Sequence, residues 1–177
     1  ELEMGLASAD PQDVEVAVGL VQFSHADVAQ TQLASLLLHD SQAVRRKAMA
    51  TIASINAPGC SRQVAEYIRI EDNFDCLLQA FDYLDSHDPV FAQETEETVL
   101  AEPNVLRKAL AATRLMRRPG HSADIAESFR DAVVAFGDGN VEDQVRAAQL
   151  LGEASVDHAA SVLLSRLLTS RAPEVVR

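Results

Sequence analysis

The sequence predicts an all-α fold. Apolar residues recur at helical spacing in nearly every segment, and strand signals are almost absent. The clearest examples of this spacing are Val14, Ala17, Val18 and Val21, and then Val44, Ala48, Ile52 and Ile55. Short turns rich in Asp, Ser, Asn, Pro and Gly separate the helical segments, so consecutive helices are expected to run antiparallel as hairpins.

An internal repeat organises these hairpins. In each repeat one apolar residue follows an acidic or turn segment at a similar place, and these residues are Val14, Val44, Cys76, Leu106, Val145 and Val176. Successive intervals between them are 30, 32, 30, 39 and 31 residues. A period near 31 with one insertion predicts repeats near 10–39, 40–71, 72–101, 102–137 and 138–171, with a further repeat beginning at 172.

Each repeat contains two helices. The first begins at the turn, where Asp10 is placed to cap the helix and Pro11 fits its first position. The second helices are predicted at 27–38, 60–70, 90–100, 122–136 and 157–169. A single hairpin cannot bury its apolar face, so we expect a right-handed α-solenoid of about five stacked hairpins in two helix layers. Residues 1–177 are expected to form one domain, a fragment of a longer chain, because the sequence opens without Met and closes on the first turn of a repeat.

Several of the first helices resemble the Val-Arg-x-x-Ala signature of HEAT repeats. The runs that carry the resemblance are Val44-Arg45-Arg46-Lys47-Ala48, Leu106-Arg107-Lys108-Ala109-Leu110 and Val145-Arg146-Ala147-Ala148, with Val176-Arg177 beginning another. Glu15 and Leu77 depart from it, because the family commonly has Arg there. The resemblance implies a module that binds another protein, or another domain of its own chain, through polar positions on second helices. The candidates are Gln30, Gln63, Glu66 and Glu94.

Two more specific expectations follow from likeness to HEAT proteins. The runs Asp10-Pro11-Gln12-Asp13-Val14 and Leu36-Leu37-Leu38-His39-Asp40-Ser41 are similar to soluble HEAT segments appended to bacterial transporters of the ATP/ADP-translocase-like type, which implies a cytoplasmic accessory domain. Some HEAT-like folds instead host DNA glycosylases or phycobilin lyases. The glycosylase alternative conflicts with the charge of this chain, and the lyase alternative lacks an identifiable catalytic group.

Composition excludes several classes of function. The net charge of −12 disfavours binding to nucleic acid and to anionic lipid. No apolar stretch approaches the length of a membrane span. The two cysteines are too few for a disulfide framework, so a reducing, cytoplasmic compartment is expected. Cys60 is expected to be a small buried thiol and Cys76 a core residue. We find no nucleophile elbow, phosphate loop or zinc-protease motif, and therefore predict a non-enzymatic protein without a cofactor.

The charge distribution is the most unusual local feature. Ten carboxylates and no Lys or Arg lie between Glu71 and Glu102, and five cations without an acid follow from Arg107 to Arg118. One interpretation is that these are solvated faces that partly neutralise each other. The other is an acidic patch that binds a basic partner, for which the candidates are Asp82, Asp85, Asp88, Glu94 and Glu97. A metal site at Asp82, Asp85 and Asp88 is the weaker possibility, because the segment lacks the pattern of a calcium loop.

Overall fold

The computed structural model describes residues 5–6, 8, 10–21, 27–120, 122–137 and 140–154. Over these ranges the chain is helical, without a β-strand, so the predicted all-α class is confirmed. The main helices in the described ranges are α1 (Pro11–Val21), α2 (Asp27–Leu36), α3 (Gln42–Ser54), α4 (Ser61–Ile70), α5 (Phe74–His87), α6 (Pro89–Leu100), α7 (Val105–Arg117), α8 (Ala123–Gly137) and α9 (Val141–Ala154).

Side-chain caps fix where many of these helices begin. Asp10 Oδ1 accepts a hydrogen bond from the backbone N–H of Gln12 at 2.9 Å, as predicted for the start of α1. Asn73 and Asn104 cap α5 and α7 in the same way, each by accepting from the N–H three residues later. Asn140 accepts from the N–H of Asp143 at 3.0 Å and begins α9. Because each capping side chain binds an N–H only two or three residues later, the sequence alone predicts where these helices begin.

The second helices lie close to their predicted positions. α4, α6 and α8 each begin within one residue of the prediction, and α8 ends one residue after the predicted 136. α2 ends at Leu36, two residues early, because the following N–H groups bond three residues back, as in His39 N to Leu36 O at 3.2 Å. The predicted helix at 157–169 and the repeat from 172 lie outside the described residues.

The chain separates into two compact units, Glu1–Ala92 and Gln93–Arg177. In the first unit α3 packs against both α1 and α5, and α2 packs against α4. α2 also contacts α3, and α4 contacts α5. In the second unit α7, α8 and α9 pack against one another. Within each unit, first helices of successive predicted repeats are therefore neighbours, and in the first unit the second helices of the first two repeats are neighbours as well.

The core of each unit is built from the apolar stripes of its helices. Val14, Val44 and Leu106 are buried, in agreement with the repeat pattern. Cys76, predicted as core, is only half-buried. The buried stripe of α5 instead runs through Phe74, Leu77, Phe81 and Leu84, so the next residue, Leu77, takes the place expected of Cys76. No helix in the described part of the chain is long and apolar enough to cross a membrane.

Candidate functional site

The structure places the five predicted patch residues on α5, on α6 and in the turn between these helices. Asp82, Glu94 and Glu97 are exposed, whereas Asp85 and Asp88 are half-buried. Asp82 and Asp85 are one turn apart on α5 in the first unit, and Glu94 and Glu97 are one turn apart on α6 in the second. Asp88 caps α6 by accepting a hydrogen bond from the N–H of Phe91 at 3.1 Å, so this carboxylate has a structural role as well.

Glu71, the first acid of the segment, is fully buried rather than solvated. Its Oε1 accepts hydrogen bonds from the backbone N–H groups of Asp72 and Asn73 and from the side-chain amide of Gln42, at 3.0, 2.9 and 3.1 Å. Its Oε2 accepts from the hydroxyl of Tyr67 at 3.1 Å. The guanidinium of Arg46 lies 3.8 Å from Oε1. Glu71 therefore ties α3 to the turn between α4 and α5.

These contacts determine the ionisation of Glu71. Burial by itself opposes the charged form, but the hydrogen bonds from Asn73, Gln42, Asp72 and Tyr67 stabilise the carboxylate and together outweigh burial. The pKa of Glu71 is therefore lower than that of an ordinary glutamate. The pKa of the Tyr67 hydroxyl moves upward, mainly because of burial and also because negative charge at Cys76 and Glu71 would disfavour a phenolate.

Two further acids of the segment pair with the arginines that follow it. Arg118 binds the fully buried Glu96 through two hydrogen bonds, Nε to Oε2 at 2.9 Å and Nη2 to Oε1 at 3.1 Å. Arg107 lies 3.4 Å from Glu102. The acidic and basic segments thus neutralise each other in part, at buried or half-buried carboxylates. Arg118 pairs with Glu96 rather than with its exposed neighbours on α6.

A small pocket opens between the end of α3 and α5 in the first unit, with a volume of about 160 Å³. Its polar and aromatic lining residues are Asn56, Gln79, Asp82, Tyr83, Ser86 and His87. The five residues from α5 occur at helical spacing and so share one face of that helix. Sequence reasoning selected Asp82 alone for binding and missed Asn56, Gln79 and Ser86, although the polar spacing along 79–87 was a signal for a functional face.

The pocket wall from α3 is held by a helix-terminating motif. Asn56 has a positive φ of 52°, and the N–H groups of Asn56 and Ala57 bond to the carbonyls of Ala53 and Ile52 at 3.2 and 3.0 Å. This is the Schellman arrangement, in which one left-handed residue ends a helix. The Tyr83 hydroxyl donates to the carbonyl of Ala57 at 2.6 Å and accepts from the N–H of Cys60 at 3.3 Å. The turn after α3 is thereby fastened to α5.

The cysteines lie in environments that keep them protonated. Cys60 is buried as predicted, and burial raises the pKa of its thiol despite an opposing hydrogen bond with Tyr83. Burial also raises the pKa of the Cys76 thiol, with a smaller contribution from nearby Glu71. The hydroxyl of Tyr83, which bonds to the N–H of Cys60, has its pKa raised by burial to about 12. Neither thiol therefore has the lowered pKa of an activated nucleophile.

The other sequence candidates are dispersed. Glu66 is exposed on α4 and Gln63 is half-buried, whereas the side chain of Gln30 lies outside the described residues. The described ranges contain no group of three or more His, Cys, Asp or Glu residues that could hold a metal ion.

Comparisons with protein-family models, curated proteins and solved structures give no match to this chain. The likeness to HEAT repeats thus remains a prediction from the sequence motifs.

Proposed function

We propose that this chain is a non-catalytic interaction module of HEAT-like helical hairpins that binds a basic segment of another protein, or of another domain of its own chain. In this proposal the binding residues are the exposed carboxylates of α5 in the first unit and, separately, those of α6 in the second unit. The helix packing of the first unit supports the architectural part, because contacts from α1 to α3 to α5 and from α2 to α4 are those that a two-layered stack of hairpins makes.

One observation carries the functional part. The consecutive helices α5 and α6 contain six carboxylates and no Lys or Arg. Arg118 pairs with Glu96, which is buried, and Arg107 pairs with Glu102, which is half-buried. Glu94 and Glu97 are exposed on α6, a helix without Lys or Arg, and Asp82 is exposed on α5. Exposed acids concentrated in this way attract a Lys/Arg-rich partner at long range and raise the association rate.

Binding of a labelled synthetic peptide of alternating Arg and Gly residues, followed by fluorescence anisotropy, tests the proposal. One variant carries Glu94→Gln and Glu97→Gln, and its matched control carries Glu15→Gln and Glu127→Gln, two exposed acids elsewhere. Both variants change the net charge by the same amount. We expect the Glu94/Glu97 variant to weaken binding about three- to tenfold, the range of one or two screened ion pairs, and the control to change it little.

The triple variant Asp82→Asn, Asp85→Asn and Asp88→Asn tests the first unit in the same assay. Asn at 88 retains the cap of α6, because Asn and Asp are equally good caps. Its control adds Asp131→Asn to the Glu15/Glu127 pair. Equal weakening by the patch variants and the controls would show that net charge alone attracts the peptide, and would reject the patch. Absence of binding to the wild-type protein at physiological salt would reject the proposed function.

A further inference from the structure

The pocket between α3 and α5 has the size of a side-chain site. Its volume of about 160 Å³ is several times the volume of a single water molecule. It is also well below the roughly 300–1,000 Å³ of pockets that enclose drug-sized molecules. A single side chain of a partner therefore fits this volume better than a whole metabolite does.

The chemistry of the lining selects the kind of side chain. Asp82 provides a carboxylate, and the side-chain amides of Asn56 and Gln79 provide carbonyl oxygens. The Ser86 hydroxyl donates its proton to the backbone carbonyl of Asp82 at 2.8 Å, so its lone pairs are left to accept. No Lys or Arg is among the residues that line the pocket. The lining is therefore rich in acceptors and negative in charge.

The aromatic part of the lining adds a flat surface. The rings of Tyr83 and His87 stack with centroids 4.1 Å apart and an angle of 18° between their planes. His87 Nδ1 lies 2.9 Å from the Tyr83 carbonyl oxygen. Because a carbonyl only accepts, His87 Nδ1 is the donor in this bond, which holds the ring against Tyr83.

The walls of the pocket are held in place before any partner arrives. Tyr83 is buried and fastens the turn after α3 through its two hydrogen bonds, and the Schellman motif fixes the backbone of Asn56. A preformed site loses less conformational entropy on binding than one that must be ordered.

We propose that this pocket binds an arginine side chain of the basic partner. A guanidinium carries five N–H donors in a plane, which match several acceptors at once, and its flat face packs on aromatic rings. The ammonium of lysine is a compact charge and gains less from such a lining. The inference rests on the proposed function and adds to it a preference for arginine over lysine.

Paired peptides test the preference. A labelled peptide of alternating Arg and Gly is compared with the same peptide containing Lys, by anisotropy, on the full chain. We expect the wild-type protein to bind the Arg peptide at least about threefold more tightly. Asp82→Asn should remove most of that preference. Ser86→Phe should also remove it, because the ring fills the pocket without changing the charge.

Matched controls separate the pocket from general effects. Thr98→Phe adds the same type of ring at an exposed helix position where, as at Ser86, the hydroxyl bonds to the carbonyl four residues earlier. Glu15→Gln removes an exposed charge outside the pocket. Both should retain the preference. Far-UV circular dichroism checks the fold of each variant, and Asp82→Asn decides the test if Ser86→Phe does not fold.

The possible results distinguish the two proposals. Equal affinity for the Arg and Lys peptides, weakened equally by Asp82→Asn, would overturn the arginine pocket and leave the acidic interaction surface in place. Preference for Arg that survives both pocket variants would also overturn the pocket. Failure of both peptides to bind the wild-type protein would overturn the proposed function, and the pocket with it.

Discussion

Replacing Glu71 should destabilise the first unit far more than removing an exposed carboxylate. In Glu71→Ala, the hydroxyl of fully buried Tyr67 and the N–H of half-buried Asn73 lose their charged acceptor. A buried donor left without a partner costs about 1–3 kcal/mol. Asp72 is exposed, so its backbone N–H can donate to water instead of to Glu71. The Cys76 thiol is only a weak alternative acceptor for the Tyr67 hydroxyl. The expected loss is about 3 kcal/mol in the free energy of unfolding.

The isosteric variant should lie between the wild type and Glu71→Ala. Glu71→Gln keeps one carbonyl oxygen for the N–H donors but removes the charge and places an NH₂ group beside the Tyr67 hydroxyl. The expected loss is about 1–2 kcal/mol, the difference between charged and neutral hydrogen bonds. Glu66→Gln, on the same helix as Tyr67 but exposed, is the matched control and should stay within about 0.5 kcal/mol of the wild type.

Urea unfolding followed by tyrosine fluorescence measures these differences in the right part of the chain. The protein has two tyrosines and no tryptophan, and both tyrosines lie in the first unit, so the signal reports on that unit. The variants should lower the urea midpoint in the order Glu66→Gln, Glu71→Gln, Glu71→Ala. A Glu71→Ala midpoint equal to that of Glu66→Gln would refute the buried network.

The pH dependence gives a second check on Glu71. Its folded pKa is depressed, so its contribution to stability is complete above the unfolded glutamate pKa of about 4.3 and is lost as the pH falls through the folded value. The stability difference between wild type and Glu71→Gln should therefore be largest near neutral pH and shrink below about pH 4. A difference that grows on acidification would contradict the assigned sign.

Three other substitutions probe the remaining structural features. Glu96→Ala should cost about 2–4 kcal/mol, because it removes a buried carboxylate that accepts two hydrogen bonds from Arg118, whereas Glu142→Ala, which removes an exposed ion-pair partner, should cost under about 0.5 kcal/mol; thermal unfolding of both variants compares them. Asn56→Ala should cost about 1 kcal/mol and Asn56→Gly almost nothing in urea unfolding, because the position has a positive φ. Tyr83→Phe should lose about 1–2 kcal/mol and speed amide exchange at Cys60, whose N–H bonds to the missing hydroxyl.

The helices and their starts were predictable because their signals are local. Asp10, Asn73 and Asn104 each cap the helix that follows within three residues, and the apolar stripes repeat on every helix. The sequence placed the core residue of α5 at Cys76, whereas the structure buries Leu77, one residue later. The repeats were aligned by their turns, and such an alignment is not accurate to a single residue.

Which acidic side chains are buried was only partly predictable from the sequence. Glu96 falls on the buried stripe of α6 with Ala92, Thr95 and Val99, so helical spacing alone distinguishes it from Glu94 and Glu97. Glu71 has no such signal. It follows α4 next to an exposed aspartate of the same charge, and two of the partners that stabilise it when buried, Gln42 and Arg46, lie far earlier in the chain.

The pocket shows the same division between local and tertiary information. The polar face of α5 from Gln79 to His87 is visible in the sequence, but its partner wall at Asn56 depends on how α3 packs against α5. A sequence pattern predicts which residues share a helix face, whereas the facing helix is known only from the fold.

A map of where a basic peptide binds tests the proposed binding residues most directly. Amide chemical shifts of the isotope-labelled chain are recorded during titration with the Arg-containing peptide at physiological salt. We expect the largest changes around Asp82 to Ser86 on α5 and around Gln93 to Glu97 on α6. Changes concentrated on α1 and α8, or spread evenly over all exposed acids, would contradict the proposed binding residues.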